Sequence, residues 1–319
     1  NSENIDIVLI SPEYYFDEIE NLNVKLLVIL SNGKIPIEFT HREIINKYLL
    51  ADSLTAELIK IYSQKTNIIL KQKGKKQARI IATYSPIPGS GKTTVALGLS
   101  LKAAAHGKKV FYLNFEENAT TDLFLNTSGT EDLSHVLFFI KANIKNLFTK
   151  LDLSKKIDNN SGIHYFSPPK SSLELEDITS GEYTLLLQEL KSMGNYDYIF
   201  IDLSSGFNSK IASVLSETSK IIFLVVDDIA LKTKTASLIK DFELLFTKDK
   251  INLYSKLLIV HNKFKSGNTI IDSFNLGSKH ILMNIPFDDR ILIKRDEKYE
   301  LSLNGVFGDS LGELLRKLS

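Results

Sequence analysis

Between Pro86 and Thr94 the chain reads Pro-Ile-Pro-Gly-Ser-Gly-Lys-Thr-Thr, a turn with two prolines and two glycines that closes on a cation and two hydroxyls. Backbone N–H groups of such a loop converge on a phosphate, and a helix starting at its end adds the positive end of its dipole. Lys92 would reach the outer phosphates of a nucleotide, and the Thr93 hydroxyl would bind Mg2+. The expected phosphate-binding set is therefore Pro88, Gly89, Ser90, Gly91, Lys92, Thr93 and Thr94. The full eight-residue loop pattern asks for Gly where this chain has Pro86.

A second landmark lies downstream, in Tyr198-Ile199-Phe200-Ile201-Asp202-Leu203-Ser204-Ser205-Gly206. An apolar strand ending in Asp is where a carboxylate holds the Mg2+ shell. Asp202 would do so through water, from the side opposite Thr93.

These side chains need a scaffold that brings several strand ends together. Arg79–Tyr84 reads as a short strand before the loop, and Val95–Ala105 as a buried helix closed by Gly107. Further strands are expected at 109–117, 163–166, 196–202, 221–226, 256–263 and 281–288. Helices are expected at 183–193 and 231–246, with a single helical stretch over 133–151. Strands alternating with helices predict an α/β fold, a doubly wound, mostly parallel sheet with its ligands at the carboxyl ends of the strands.

Composition sets the outer limits. The chain has 319 residues, long enough for two domains. Lys+Arg number 39 against Asp+Glu 38, so the charge balance gives no push toward nucleic acid, and no specific nucleic-acid partner is expected. The absence of cysteine excludes a disulfide scaffold and fits a reducing cytoplasm. No apolar run approaches the roughly 18–20 residues of a membrane span, and no signal peptide heads the sequence. The first residue is Asn rather than Met, which predicts chain upstream of it. The 6 His are scattered without an i, i+4 pair, against a zinc site.

Ahead of the loop, Ile5–Ser11 and Val24–Ser31 are apolar strand-length runs, and 53–63 has helical spacing. Lys71, Lys73, Lys75 and Lys76 around Gly74 mark a basic linker. The expected organisation is a small α/β domain over 1–70, a linker over 71–78, and the phosphate-binding domain over 79–319.

From the loop onward the sequence resembles the MinD/ParA superfamily of P-loop ATPases. In that family the loop reads Lys-Gly-Gly-x-Gly-Lys-Thr-Thr; here it is Ile87-Pro88-Gly89-Ser90-Gly91-Lys92-Thr93-Thr94, with Ile87 in place of a Lys that reaches across a dimer. The resemblance implies ATP and Mg2+ as cofactors, with Lys92, Glu116 and Asp202 catalytic and Thr93 and Asp202 at the metal. The family's Asp-x-Asp corresponds to Asn114-Phe115-Glu116, and its Asp-x-Pro-x-Gly to Asp202-Leu203-Ser204-Ser205-Gly206, with the Gly206 N–H aimed at the γ-phosphate. Asn262 matches its adenine-reading Asn, and Ile285, Pro286 and Asp288 its adenine-side loop. It also implies a homodimer in the ATP state.

The N-terminal part resembles the second half of a response-regulator receiver, with Ser11 at the phospho-acceptor Asp, Ser31 at the hydroxyl position, and Ala51 or Asp52 at the Lys of the fifth strand. A degenerate receiver before such an ATPase is similar to the CpaE group, which implies pilus assembly or localisation and a protein partner bound through the receiver-like domain. The alternatives are a nucleotide-holding scaffold with little turnover, an NtrC-like regulator, and a bacterial tyrosine kinase. The last would need a Tyr-rich tail, yet the chain closes Leu314-Leu315-Arg316-Lys317-Leu318-Ser319. Leu311, Leu314, Leu315 and Leu318 share one helical face. Docking on the sheet is favoured over a membrane surface because the basic face is sparse, so a peripheral place at the inner membrane face is the lesser expectation beside a cytoplasmic one.

Overall fold

The computed structural model describes residues 5–21, 24–33, 37–39, 41–49, 54–55, 57–58, 61–62, 65, 77–126, 131–142, 147–193, 195–249, 252–266 and 279–318. Two compact units result, one formed by Asn1–Lys71 with Ile144–Lys150, the other by the remainder. The basic linker expected over 71–78 lies outside the described residues except for its last two.

The smaller unit is a parallel sheet of β1 (Ile7–Ile10), β2 (Leu26–Ser31) and β3 (Glu43–Asn46), in that order. Leu26, Val28 and Ile45 pack with Ile61 and Tyr62 of a helical segment, and Leu54 and Leu58 join them at its spacing. The sequence reading held no third strand, and its fifth-strand position at Ala51 or Asp52 lies outside the described residues. β3 ends at Asn46, opposite Ser31, so Lys47 follows the strand and donates its N–H to Ser31 O at 2.8 Å. Only four residues long, with one buried side chain, β3 is too short and too polar to be read as a strand from periodicity.

The larger unit is built on an eight-stranded sheet. Its strands are β4 (Arg79–Tyr84), β5 (Val110–Asn114), β6 (Lys156–Ile157), β7 (His164–Tyr165), β8 (Tyr198–Asp202), β9 (Lys220–Val225), β10 (Leu257–Phe264) and β11 (Ile281–Pro286). Their spatial order is β11-β10-β9-β4-β8-β5-β7-β6, parallel throughout except for the two-residue edge β6. The chain moves outward from β4 to β5 on one side, and from β8 over β4 to β9 on the other. The crevice at that reversal is where an open α/β sheet binds ligands. β4 and β8 are almost wholly buried apolar runs, the pattern expected of strands covered on both faces.

The longer helices among the described residues are α1 (Lys92–Ala105), α2 (Leu133–Lys141), α3 (Leu147–Ser154), α4 (Ser180–Ser192), α5 (Ser209–Glu217), α6 (Leu231–Asp249) and α7 (Val306–Leu318). The stretch over 133–151 is two helices rather than one: Ala142 closes α2 with ψ near 0°, and residues 143–146 lie outside those described. The apolar spacing still marks the inward face, since Leu133, Val136, Leu137 and Ile140 are all buried while Phe138 is exposed. An antiparallel hairpin, β12 (Leu292–Arg295) and β13 (Lys298–Leu301), had no counterpart in the sequence reading. Its tight turn at Asp296-Glu297 uses Asp296 at φ 52°, without the Asn-Gly or Asp-Gly signal of such turns.

α7 lays Phe307, Leu311, Leu314, Leu315 and Leu318 into the same core cluster as α1 and the sheet. The fit against α1 is close, because a Cβ on Gly98 would come 2.5 Å from Leu311 Cδ1. The apolar face of the closing helix is thus spent on the core. No helix among the described residues is long and apolar enough to cross a membrane.

Candidate functional site

The loop after β4 carries two residues in the left-handed region, Gly89 at φ 69° and Gly91 at φ 92°. Glycine is required there on conformational grounds, and at Gly91 on steric ones as well. A Cβ would meet Asn262 Nδ2 at 2.4 Å, because that amide donates to Ser90 O at 2.7 Å. Gly91 is also the N-cap of α1, whose first turn holds no acidic residue, so the helix presents its free N–H groups toward the loop.

Three strand ends converge on the first turn of α1. Lys92, 6% exposed, points its Nζ to Ser205 Oγ of the loop after β8 at 2.8 Å and lies 3.5 Å from Glu116 Oε1 of the loop after β5. The Thr93 hydroxyl donates to Glu116 Oε2 at 3.2 Å. Tyr84 at the end of β4 donates its hydroxyl to Ser205 O at 3.4 Å, so the β8 loop is held from two directions.

Behind this group lies a buried carboxylate. Asp202 is 0% exposed; Tyr112 donates its hydroxyl to Oδ2 at 3.2 Å, while Oδ1 is buried without a hydrogen bond from the protein. Burial, and then the Glu116 carboxylate, raise its pKa to about 7, with the Thr93 hydroxyl, the Lys92 ammonium and the Tyr112 hydroxyl acting against the rise. Tyr112 is itself pushed well above the usual phenol range by burial and by Asp202. Asn114 braces the pair: its amide donates to the Tyr112 hydroxyl at 3.4 Å and to Thr121 Oγ1 at 3.3 Å, and its Oδ1 accepts the Glu116 N–H at 2.8 Å. A buried carboxylate oxygen with no protein donor, set against the threonine of a glycine loop, has the chemistry of a hydrated Mg2+ site, a metal that takes few protein ligands. The residues present fit that ion.

In front of the loop opens a cleft of about 480 Å3. It is lined by Gly89, Gly91, Lys92, Thr93, Thr94 and Glu116, together with Lys263, Asp288, Asp289, Ile291 and Leu292. Of the residues singled out from sequence, Gly89, Gly91, Lys92, Thr93, Thr94, Glu116 and Asp288 meet there. Ser90 is buried beneath the loop and Asp202 beneath the site, whereas Pro88 and Gly206 are exposed and outside the cleft lining. Ile285 does not reach the cleft, because its side chain is fully buried in the sheet's core cluster; Pro286 is not among the lining residues either. Asn262 is buried with its amide bonded to the loop rather than turned to the cleft. Ile87 is 3% exposed and its N–H bonds Ser85 Oγ, so the side chain at that position is part of the loop's packing. Sequence reasoning missed Ser205, Lys263, Tyr112 and the hairpin flank at Ile291 and Leu292. The first two stand beside residues it had chosen; the others carry no local signal.

The fold has solved counterparts. The MinD septum site-determining protein of Pyrococcus horikoshii OT3, complexed with Mg-ADP, superposes with a TM-score of 0.58 at 19% identity over 76% of this chain and 96% of that one. A putative plasmid partition protein of Borrelia burgdorferi bound to AMPPNP gives 0.53 at 16%, over 76% and 100%. Cobyrinic acid a,c-diamide synthase of Mycobacterium smegmatis, with an ATP analogue and magnesium, gives 0.56 at 12%, over 76% and 94%. The sheet and its helices therefore have the MinD/ParA-type fold, which also serves an enzyme of biosynthesis. Among curated proteins none matches the sequence. A family model described as an AAA domain matches residues 78–254, more than half of the sequence and the part holding the loop, Glu116 and Asp202, and on that match the chain belongs to the AAA_31 family.

Proposed function

We propose that this chain binds ATP with Mg2+ in the cleft and hydrolyses it, acting as a molecular switch of the MinD/ParA type. The observation that carries the reading is the convergence of Lys92 and Thr93 on Glu116 of the β5 loop and Ser205 of the β8 loop. Gly89, Ser90, Gly91 and Thr94 would cradle the phosphates, with Pro88 fixing the loop's entry and Asp288 on the nucleoside side. Thr93 and, through water, Asp202 would hold Mg2+. When bound, that ion neutralises charge on the β- and γ-phosphates. A γ-phosphate would compete with Glu116 and Ser205 for the Lys92 ammonium. Its arrival would free the Glu116 carboxylate to orient a water and release the loop that runs to Gly206. Nucleotide state would thereby set the conformation of two loops at once, as in other nucleotide switches. Catalysis here is positioning and electrostatics, with no covalent intermediate.

The MinD and partition-protein neighbours, solved with Mg-ADP and AMPPNP, support ATP and Mg2+ as the ligands. A homodimer in the ATP state, a domain division at 1–70, 71–78 and 79–319, and a receiver-like N-terminal domain that takes a protein partner belong to the same proposal. Three parallel strands in sequential order support the receiver-like reading. On the resemblance to the CpaE group, the output would be localisation or assembly of a surface apparatus such as a pilus. A second reading, a nucleotide-holding scaffold with little turnover, is favoured by the buried Ile87 and by an Asn114 amide already spent on Tyr112 and Thr121.

ATP turnover of the wild type beside Lys92→Ala and Glu116→Ala separates the two. Hydrolysis should fall at least tenfold in both variants, with Glu116→Ala still binding ATP. Tight ATP binding by a wild type that turns over no faster than Lys92→Ala would remove the ATPase and leave the scaffold.

A further inference from the structure

Two consecutive residues of β10, Asn262 and Lys263, both reach the glycine loop. The Asn262 amide donates to Ser90 O and the Lys263 ammonium donates to Gly89 O, each at 2.7 Å. In a regular strand they would point to opposite faces of the sheet. They do not, because Lys263 sits at φ 57°, in the left-handed region that a lysine adopts only at a cost. The pairing of β10 with β11 also jumps register between His261 and Phe264, at the same place. A strand irregularity of this kind re-aims a side chain, and here it sends the Lys263 stem over Gly91, where a Cβ would lie 4.0 Å from its Cε.

The charge around the cleft gives that arrangement a purpose. Among its lining residues the cations are Lys92 and Lys263, against the carboxylates of Glu116, Asp288 and Asp289. Lys92 is engaged by Glu116, and the loop offers no other cation because position 87 is a buried Ile.

We propose that Lys263 is a positioning residue of the nucleotide site: by holding the Gly89 carbonyl outward it fixes the loop with its N–H groups facing the cleft, and its ammonium supplies the second positive charge beside the phosphates. This inference rests on the nucleotide-binding reading above. It assigns the strained lysine to binding rather than to the chemical step. Lys263 acts on ADP and ATP alike, since Gly89 lies at the start of the loop and the ammonium is anchored there rather than at Glu116.

The test uses the whole chain and three variants: Lys263→Gly, Lys263→Arg and Lys92→Ala. Calorimetric titration with Mg-ADP and with Mg-AMPPNP gives the affinities, and thermal unfolding without nucleotide gives the fold. Glycine suits the positive φ, so Lys263→Gly should melt at or above the wild-type temperature. It should nevertheless bind both nucleotides about tenfold more weakly, the scale of one lost charge-assisted hydrogen bond, with a shallower dependence of affinity on salt. In steady-state turnover its defect should appear as a raised KM for ATP, and Lys263→Arg should restore affinity to within about threefold. Wild-type affinity in Lys263→Gly, alongside lost binding in Lys92→Ala, overturns the role of Lys263 and leaves the nucleotide site standing. If the wild type itself binds neither nucleotide, the reading beneath it fails as well.

Discussion

Replacing Asp202 by Asn is the perturbation that most directly probes the buried end of the site. The carboxylate is fully buried, with Oδ1 unbonded by protein and Glu116 nearby, and its pKa is raised to about 7 from an ordinary 3.8. A carboxyl whose folded pKa stands above its unfolded value keeps its proton in the folded state where the unfolded chain has already lost it. Stability is therefore lost as pH rises from about 4 to about 7, and the loss is complete above that. At about 1.4 kcal/mol per unit, the penalty is on the order of 4 kcal/mol at pH 8 and about 2 kcal/mol at pH 5.5. Asn cannot ionise and keeps an oxygen for the Tyr112 hydroxyl, so Asp202→Asn should be more stable than the wild type at pH 8 in EDTA, and less so at pH 5.5. Urea denaturation at the two pH values reads the difference. Mg-ATP should reverse the order, stabilising the wild type through the ionised Asp202 while leaving the variant little changed, and turnover should be lost in the variant. A gain that does not change between pH 5.5 and pH 8, or a variant less stable than the wild type at pH 8, would refute the assignment of a strained, ionisable carboxylate.

Two substitutions test the scaffold around it. Gly91→Ala should lower nucleotide affinity by at least tenfold in a fluorescence titration, because the new Cβ at φ 92° displaces the Asn262 amide that ties β10 to Ser90. Leu311→Ala should cost about 2–5 kcal/mol in chemical denaturation, since its side chain is fully buried against Gly98 of α1. A cost under about 0.5 kcal/mol would return the closing helix to the alternative of a surface face.

Much of this architecture follows from local chemistry. The turn of Pro88, Gly89 and Gly91 before Lys92 and Thr93 dictates a strand, a left-handed loop and a helix N-terminus whatever surrounds it, because glycine conformations and free N–H groups are properties of the segment itself. The buried runs at Ile80–Tyr84, Tyr198–Ile201 and Ile221–Val225 likewise announce strands covered on both faces, and the leucines of α7 announce an inward face. Asp202 and Glu116 could be chosen because each ends or follows such a strand. What depends on strands distant in sequence was not legible. β3 and the hairpin of β12 and β13 are too short or too polar to show periodicity, and α2 and α3 share one apolar spacing across a break. Ile285 belongs to the core although Asp288, three residues on, lines the cleft. The pairing of Lys92 with Ser205 arises only when β4 and β8 lie side by side. Lys263 is the sharpest instance: alternation along β10 assigns it to the face away from Asn262, and a register jump against β11 brings it back to the loop. The sequence by itself determined that a phosphate loop and its carboxylates are present; tertiary structure decided which further side chains share their charge, because the fields of Lys263, Ser205 and Tyr112 act through space between strands that the chain order keeps apart.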